Sequence, residues 1–534
     1  MTDPVSKKPP PSGDHEPPPK PKRYWWRFTL ASVTIVAVTA AATAISILLW
    51  VGSIATALSH HNVYKEKLDR YLSQVHGGDP ENILILGSDK RANLKEDPGR
   101  SDTTILLRLD PDRNAIAVMS IPRDLKVEIP GYGTNKFNAA YTFGGPKLTL
   151  RLVKELTGLQ INHVVNVDFL GFVRAVNAIG CVYADVDRRY YHSNVGVPPS
   201  EQYSEINIQP GYQLLCGKEA LEYVRYRHTD TDLVRSARQQ DFLSAARQRV
   251  PISKLVLGQS SLIDIFTKYT TSDIGDAETM LQVMKLFIAS RNAAIKEVHF
   301  PATLGPSYVY ASESAIHGAV DQFLGIEASA GPRGSLEGSS GAGKKKNSKH
   351  RAKKPHLAKP KPPGSDGLVP ASEAGALEAK TAARKVGAAF PVFYPTRLPS
   401  GATYVESNSY EHVQDPRVYH IKDTEDHRHG AYRMVVELPL SDGTHYFGMQ
   451  GIQGWSDPPI LAGPSIQRTI HGREYDVYVD GERVSMVAWH RGNNTYWMTN
   501  DLLNTLTSDQ MIGMARSANV TMPKQKPKRK GAKG

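Results

Sequence analysis

The chain has 534 residues, of which 40% are hydrophobic, so it can form two or three globular domains. Its net charge of +12 would fit a nucleic-acid-binding protein. Much of the excess, however, lies in polar segments: the N-terminus, residues 344–361 and residues 524–533. We find no helix-turn-helix, zinc-knuckle or aromatic RNA-binding signature, and therefore expect no nucleic-acid partner.

The first recognisable segment is apolar. Residues 1–27 form a Pro-rich tail, predicted to be disordered, and no charged residue occurs from Phe28 to Leu58. About 20 apolar residues span a bilayer, so residues 28–53 are predicted to form a transmembrane helix. Basic residues precede the helix and tryptophans flank it, which places the N-terminus in the cytoplasm and the remaining chain outside the cell. A cleaved signal peptide is the alternative; the late, long apolar stretch favours an uncleaved single-pass anchor in the plasma membrane.

A polar, largely helical stalk is predicted at 54–79, followed by a first domain at 80–325. Apolar runs at 82–87, 103–109 and 115–121 read as strands. A leucine stripe at 146–157, ended by Gly158, reads as a helix. A strand, a helix and a strand follow at 163–167, 169–179 and 181–186. This alternation predicts a layered α/β domain.

The rest of the chain is predicted to hold a linker and a second domain. Residues 326–388 are rich in Gly, Ser, Ala, Pro and Lys and lack apolar periodicity, so we expect a disordered basic linker. Residues 389–523 contain alternating segments at 433–438, 475–479 and 484–489, and a closing helix at 508–518. They predict a smaller, β-rich α+β domain without a catalytic constellation, followed by a basic tail at 524–534.

Two aspartates in the first domain follow or precede predicted strands. Asp89 comes after the first strand, and Asp102 comes just before the second, so both are expected at one mouth of the sheet. Paired carboxylates beside phosphate oxygens suit Mg²⁺. Taken alone, each aspartate could equally be an ordinary turn or cap residue.

A second cluster combines arginine with acidic and amide side chains. In an extended segment, Arg225 and Arg227 would project to the same side. On a helix starting near Asp232, this residue would share a face with Arg235 and Gln239. Together with Arg238, these arginines would present guanidinium groups to a phosphate-rich ligand. The alternative is a salt-bridge lattice with the neighbouring aspartates.

Cysteine occurs twice, as Cys181 and Cys216, both within the first domain. Their spacing does not match a zinc or redox motif. A domain outside the cytoplasm would favour a disulfide. The alternative is two separate buried thiols.

Several motifs in fixed order resemble those of the LytR-CpsA-Psr family of cell-wall glycopolymer transferases. The resemblance covers about residues 80–250. It is carried by Gly-x-Asp at 87–89, Arg-x-Asp-Thr at 100–103, Ser-Ile-Pro-Arg-Asp at 120–124, Lys-Phe-Asn-Ala-Ala-Tyr at 136–141, Arg-Tyr-Arg at 225–227 and Arg-x-x-Arg-Gln-Gln at 235–240. An N-terminal membrane anchor is also typical of the family.

The resemblance implies an α-β-α catalytic domain and assigns roles to residues. Asp89 and Asp102 would hold Mg²⁺ or Mn²⁺, and Asp232 would orient arginines. The residues that would bind pyrophosphate and its metal shell are Arg100, Arg123, Arg225, Arg227, Arg235 and Gln239. Because both cysteines lie on segments near this site, the resemblance also strengthens the disulfide hypothesis.

The family further implies a reaction: transfer of a glycan-1-phosphate from a polyprenyl-pyrophosphate carrier to a cell-wall acceptor, with a peptidoglycan hydroxyl as the expected acceptor. An Mg²⁺-dependent phosphotransferase of this kind could also show pyrophosphatase side activity. Its partners would be the lipid-linked glycan, peptidoglycan and the bilayer. The alternatives are a non-catalytic polyprenyl-lipid binder or envelope sensor, and a membrane-linked transcriptional regulator.

Overall fold

The structure is a computed structural model that describes most of the two domains. The described residues are 68–76, 78–88, 99, 101–198, 202–226, 229–249, 270–274, 277–290, 293–325, 333, 362, 364–386, 390–405 and 417–522. The predicted N-terminal tail, transmembrane helix and C-terminal tail lie outside them. Among the helices that are described, none has the length and apolarity needed to cross a bilayer.

The first domain contains fourteen described strands and six described α-helices. Its strands are β1 Glu81–Ser88, β2 Ser101–Asp110, β3 Ala115–Ser120, β4 Lys126–Ile129, β5 Gly133–Lys136, β6 His163–Asp168, β7 Val182–Val186, β8 Tyr190–His192, β9 Ile206–Ile208, β10 Gly211–Leu215, β11 Thr270–Ser272, β12 Ala294–Val298, β13 Thr303–Leu304 and β14 Val309–Tyr310. Its helices are α1 Ala139–Thr157, α2 Phe169–Ala178, α3 Gly217–Arg225, α4 Asp232–Arg249, α5 Ala277–Ala289 and α6 Glu313–Gly325.

A six-stranded mixed sheet forms the centre of this domain, in the order β11-β6-β1-β2-β3-β12. Strand β1 runs parallel to β6 and antiparallel to β2. Its side chains alternate between two cores: Leu84 and Leu86 pack with α1 and α6, whereas Ile83 packs on the opposite side with Leu286 of α5. The predicted α/β class, with helices on both faces of a central sheet, is therefore confirmed.

Helix α1 is kinked where the sequence reads Gly144-Gly145. Gly145 has φ of 61°, in the left-handed region. A Cβ on Gly144 would lie 2.6 Å from Cβ of Leu148, so glycine is required for the close approach. The helix therefore starts at Ala139 and changes direction before the predicted leucine stripe.

A smaller layer carries the cysteines and has its own core. Strands β7 and β10 pair in antiparallel fashion, with Val182 opposite Leu215. Cys181 and Cys216 precede and follow these two residues and form a disulfide, with their Cα atoms 4.6 Å apart. The predicted disulfide is thus confirmed. The disulfide links the end of this strand pair that lies next to the start of α3.

The C-terminal domain is built on a large antiparallel sheet. Its strands are β15 Leu368–Pro370, β16 Val392–Pro395, β17 Arg397–Pro399, β18 Thr403–Tyr404, β19 Arg417–Lys422, β20 Arg428–Leu440, β21 Gly443–Ile452, β22 Ile466–Ile470, β23 Arg473–Asp480, β24 Arg483–Arg491, β25 Asn494–Thr499 and β26 Ala518–Thr521, and its helices are α7 Ala374–Val386 and α8 Ser508–Ser517. Eight strands form the sheet, with the path β18-β20-β21-β25-β24-β23-β22 and β19 paired to β20. The β-rich character predicted for this region is confirmed.

The two faces of this sheet have different partners. One face packs on α7 and α8 in a core that includes Trp489 and Met511. The other face packs on the β7–β10 pair of the first domain, where Tyr183 contacts Trp455 and Tyr212 contacts Trp497. The domains therefore share an aromatic interface.

Two predicted connecting segments contain ordered structure. The predicted disordered linker at 326–388 is wrong in its last part, because β15 and α7 lie there and pack into the C-terminal core. Alanines on α7 supply the buried surface, although the composition resembles that of a linker. The predicted stalk at 54–79 is also wrong near its end, since Leu68 is fully buried in the first domain and Ser73 donates its N–H to Ile161 at 2.9 Å.

Candidate active site

The site centres on Arg123, in the loop that follows β3. The loop is fixed by backbone bonds to the next motif: Asn138 donates its N–H to the carbonyl of Arg123 at 3.0 Å, and Phe137 donates to Leu125 at 2.8 Å. Lys136 of the same motif forms an ion pair with Asp124 at 3.0 Å. The two neighbouring sequence motifs therefore act together to hold the arginine at the edge of the sheet.

The guanidinium of Arg123 lies between carboxylates from distant parts of the chain. Nη1 donates to Oδ1 of Asp102 in β2 at 2.8 Å, and Nε lies 3.5 Å from carboxylate oxygens of both Asp124 and Asp232. Burial lowers the pKa of Arg123, but the three negative charges outweigh it and raise the pKa overall. The cation is thus permanently charged and held in one position.

Asp232 organises the next part of the site from the first turn of α4. Its Oδ2 accepts the backbone N–H of Arg123 at 2.9 Å, and its Oδ1 accepts from the guanidinium of Arg235, one turn along the helix. Arg235 also donates to the carbonyl of Asp102 at 3.2 Å. Asp232 therefore connects two arginines, as expected of a residue that orients them.

Gln239 and Arg238 follow on α4 but bind mainly to the protein itself. Gln239 donates to the hydroxyl of Thr103 at 3.0 Å and to the carbonyl of Val224 at 3.1 Å. Arg238 is completely buried and donates to the carbonyls of Tyr223 and Tyr226, at 2.9 and 2.8 Å. These two side chains fix the end of α3 relative to the sheet, which makes Arg238 a structural residue.

Arg225 is the last residue of α3, not part of an extended segment as predicted. The alternation of Arg-Tyr-Arg resembles a strand, but Ala220, Tyr223 and Val224 form a buried helical stripe. The exposed guanidinium of Arg225 stacks over the ring of Phe169 with 3.7 Å to the centroid. Phe169 directly follows β6, the strand beside β1. Arg225 therefore lies at the mouth formed where β1 and β6 end.

The structure thus brings together five of the predicted residues: Asp102, Arg123, Asp232, Arg235 and Gln239. Asp89, Arg100 and Arg227 lie outside the described residues. The sequence analysis gave no role to Asp124 or Phe169. Asp124 directly follows the motif residue Arg123, and Phe169 directly follows the end of strand β6.

Of the two predicted metal ligands, Asp102 lies among the described residues, and its carboxylate is partly exposed beside Arg123. Carboxylate oxygens are ligands that Mg²⁺ prefers. Asp232 fits this role poorly, since both of its oxygens already accept from arginines. Asp89 and Asp102 remain the predicted ligands.

Another acidic group among the described residues lies between the domains. Glu297, His299 and Asp480 place one ligand atom each within 4.8 Å of one another. The guanidinium of Arg333 reaches the same group, however, at 2.6 Å from Glu297 and 3.5 Å from Asp480. Arginine already compensates these carboxylates, so the arrangement is an interdomain ion-pair network.

The fold and the site define the first domain as an α/β domain with an arginine–carboxylate cluster at the edge of its central sheet. Comparison with known families makes this more specific. The LytR_cpsA_psr family matches residues 47–324, more than half of the chain. The chain belongs to this family.

Three curated relatives illustrate the similarity. A polyisoprenyl-teichoic acid–peptidoglycan teichoic acid transferase, TagU of Oceanobacillus iheyensis, is 32% identical over 43% of this chain and 67% of its own length. TagT of Bacillus subtilis, with the same type of name, is 35% identical over 32% of this chain and 52% of its own. LcpB of Corynebacterium glutamicum, a probable cell wall biosynthesis protein, is 31% identical over 40% of this chain and 53% of its own length. The aligned part spans about half the length of the latter two.

Two solved structures show similar coverage. Bacillus subtilis TagV is 26% identical and aligns over 47% of this chain and 98% of its own, with a TM-score of 0.39. YwtF (TagT), a LytR-CPS2A-psr family protein with bound octaprenyl pyrophosphate lipid, is 24% identical. It aligns over 47% of this chain and 92% of its own, with a TM-score of 0.35.

Proposed function

We propose that this chain transfers a glycan-1-phosphate from a polyprenyl-pyrophosphate carrier to a hydroxyl of the cell wall, as part of cell wall biogenesis. Relatives that match the first domain are named as polyisoprenyl-teichoic acid–peptidoglycan transferases. Their names combine a polyprenyl-type carrier, an anionic glycopolymer and a peptidoglycan acceptor. The chemistry of the first domain suits such a reaction.

The observation that carries the proposal is the cluster around Arg123. Three carboxylates hold its guanidinium, and Asp232 joins it to Arg235. A pyrophosphate between a lipid and a sugar carries two adjacent negative phosphates, which suit guanidinium groups positioned before substrate arrives. Preorganisation of this kind stabilises charge that develops on the leaving group without rearrangement of the site.

The bond changes are those of a phosphoryl transfer. The oxygen of the acceptor hydroxyl attacks the phosphorus that carries the glycan, and the bond from this phosphorus to the polyprenyl phosphate breaks. In this proposal, Arg123 and Arg225 neutralise the leaving phosphate. A carboxylate of Asp102 or Asp89 takes the hydroxyl proton. Water in place of the acceptor would give a pyrophosphatase side reaction.

Mg²⁺ is the proposed cofactor, with Mn²⁺ as a substitute, held by Asp89 and Asp102. When bound, it would supply positive charge next to the pyrophosphate oxygens. The arginines and Asp232 would orient the substrate around it.

The proposed location is the plasma membrane, with both described domains on the outer side. The charge-free segment from Phe28 to Leu58 supports the anchor. The Cys181–Cys216 disulfide supports an oxidising compartment. A carrier lipid and the peptidoglycan would both be within reach there.

The decisive test is transfer from a synthetic polyprenyl-pyrophosphate glycan to peptidoglycan by the full-length protein in detergent. Arg123→Ala should lose transfer by at least about 10²-fold, the scale seen when one preorganised electrostatic contact is removed. Arg113→Ala, at an exposed position near the opposite end of β2, should remain active. Binding of the lipid without any transfer by the wild type would instead indicate a polyprenyl-lipid binder.

A further inference from the structure

The C-terminal domain contains a basic groove away from the arginine–carboxylate cluster of the first domain. The groove has a volume of about 860 Å³. It is lined by strands β22, β23 and β24 at one end of the sheet, together with Phe393 of β16. Arg468, Arg473 and Arg491 lie along it. Neither the family match nor the first-domain site includes these residues.

Two tight hairpins bring the arginines together. His471 and Gly472 both have positive φ, 50° and 77°, which corresponds to the two-residue turn that closes a twisted hairpin, and Arg473 follows directly. Arg491 immediately precedes another two-residue turn, in which Gly492 has φ of 59°. Since β23 and β24 are antiparallel neighbours, the start of one and the end of the other lie at the same end of the sheet.

Aromatic rings hold Arg473 in place. Its guanidinium carbon lies 5.0 Å from the ring centre of Phe393, 5.6 Å from Trp489 and 5.8 Å from Tyr475. Arg491 lies 5.8 Å above Phe393. The rings lie within cation–π distance of these arginines and use none of the guanidinium N–H groups in conventional hydrogen bonds, and a guanidinium carries five N–H donors suited to an anion.

Among the residues that the structure describes, no carboxylate forms a hydrogen bond or ion pair with Arg473. Its Nη1 donates to the hydroxyl of Tyr475 at 3.3 Å, and its remaining contacts are the three rings. Glu474 and Asp476 also line the groove, but side-chain alternation along β23 directs them away from the face of Arg473 and Tyr475. Asp476 is further engaged by Gln467 at 2.9 Å. The face with the rings is therefore electropositive.

The row of cations continues onto the neighbouring strand β22. Arg468 lies directly across the hairpin from Tyr475, which extends the row of guanidinium groups. Several cations along one groove match repeated anionic groups better than a single small ion.

We propose that this groove binds phosphate groups along an anionic glycopolymer, the class of polymer that the first domain is proposed to transfer. The inference rests on the proposed function for the identity of the polymer. The groove is then a second binding site for the polymer on the same chain. The groove holds the polymer, while the cluster around Arg123 carries out the reaction.

The test uses the full-length protein in detergent and a soluble glycerol-phosphate oligomer as the probe, with calorimetry at physiological salt. Arg491→Gln combined with Arg473→Gln should weaken binding by at least about tenfold, since hydrogen bonds to charged groups are lost. Arg491→Glu, at an exposed position where the fold is not at risk, should also weaken it. Arg428→Gln, on the exposed part of β20, is the matched control and should bind as the wild type does.

Other probes separate the possible sources of the signal. Inorganic phosphate should bind far more weakly than the oligomer, and neutral dextran should not bind. Equal binding of phosphate and oligomer, or unchanged oligomer binding in the double variant and in Arg491→Glu, would overturn the proposal. Arg123→Ala should keep oligomer binding while it loses transfer, so a failure of the groove and a failure of the proposed reaction give different results.

Discussion

Arg433 of the C-terminal sheet donates to both carboxylate oxygens of Asp185 in β7, each at 3.2 Å, in the interface between the domains. The Arg433 side chain is fully buried, and the indole of Trp497 donates to the same carboxylate at 3.2 Å. Burial raises the pKa of Asp185, and the opposing effect of Arg433 offsets this only in part. The pair therefore contributes to the geometry of domain docking more than to net stability.

Breaking this pair should destabilise both domains. Arg433→Met leaves the charge of Asp185 buried without compensation, and we expect a loss of about 3–5 kcal/mol in the free energy of unfolding. Denaturant titration followed by tryptophan fluorescence measures it. The double variant Arg433→Met with Asp185→Asn should recover part of the loss. A loss below about 0.5 kcal/mol, as expected for the exposed control Arg428→Ala, would contradict the interpretation.

The disulfide should stabilise the first domain through the loop that it closes. Cys181 and Cys216 are 35 residues apart, for which loop-closure entropy predicts about 4 kcal/mol. Replacing both by Ser should lower the unfolding temperature, and transfer activity should fall because Cys216 directly precedes α3, which carries Arg225. Reductant should lower the wild-type unfolding temperature and leave the double-Ser variant unchanged. If reduction of the disulfide leaves the unfolding temperature of the wild type unchanged, the disulfide does not have this role.

A buried histidine predicts a specific pH dependence of stability. His163 lies 2.7 Å from Asp273 and 3.4 Å from Glu81; burial opposes its charge, but the two carboxylates outweigh it and raise its pKa to about 9. The stabilisation is fully present below about pH 6.5 and disappears as pH rises through about 9. It amounts to about 3 kcal/mol.

The measurement is the difference in unfolding free energy between the wild type and His163→Gln across pH 6 to 10. The difference should shrink as pH increases, since only the wild type loses a proton from this position in the folded state. A difference that stays constant over this range would show that His163 is neutral in the fold.

Asp232 is expected to act as a positioning residue. Asp232→Asn retains the shape but removes the charge that orients Arg123 and Arg235, so kcat should fall by about 10²-fold with a smaller change in KM. Asp112→Asn, in the exposed turn after β2, is the control. Steady-state kinetics should be paired with thermal unfolding, because a parallel loss of stability and activity would indicate a purely structural role.

The metal hypothesis predicts that a chelator abolishes transfer and that Mg²⁺ restores it. Asp102→Asn should require at least about tenfold more metal, since a charged oxygen ligand is lost. Binding of Mn²⁺, followed by electron paramagnetic resonance, provides a readout independent of turnover. Unchanged Mn²⁺ affinity in Asp102→Asn, compared with Asp112→Asn as the control, would remove Asp102 from the predicted ligands.

Part of the first domain was predictable. Apolar runs predicted β1, β2 and β3, and the resemblance to the family assigned Asp102, Arg123 and Asp232 to one site, where their side chains and backbone do meet. Short edge strands such as β11, with three residues, carry too little pattern to be recognised. The helical end of α3 was missed, because alternation over three residues cannot separate a strand from the last turn of a helix.

The sequence by itself determined the family motifs and the alternation that produces the central sheet, since both depend on residues close together along the chain. The tertiary structure decided how Asp185 and Arg433, 248 residues apart, meet between the domains. It also decided that hairpin turns gather Arg473 and Arg491 at one end of a sheet. Contacts of this kind depend on the packing of whole elements, and no local pattern of apolar or charged residues records which faces will meet.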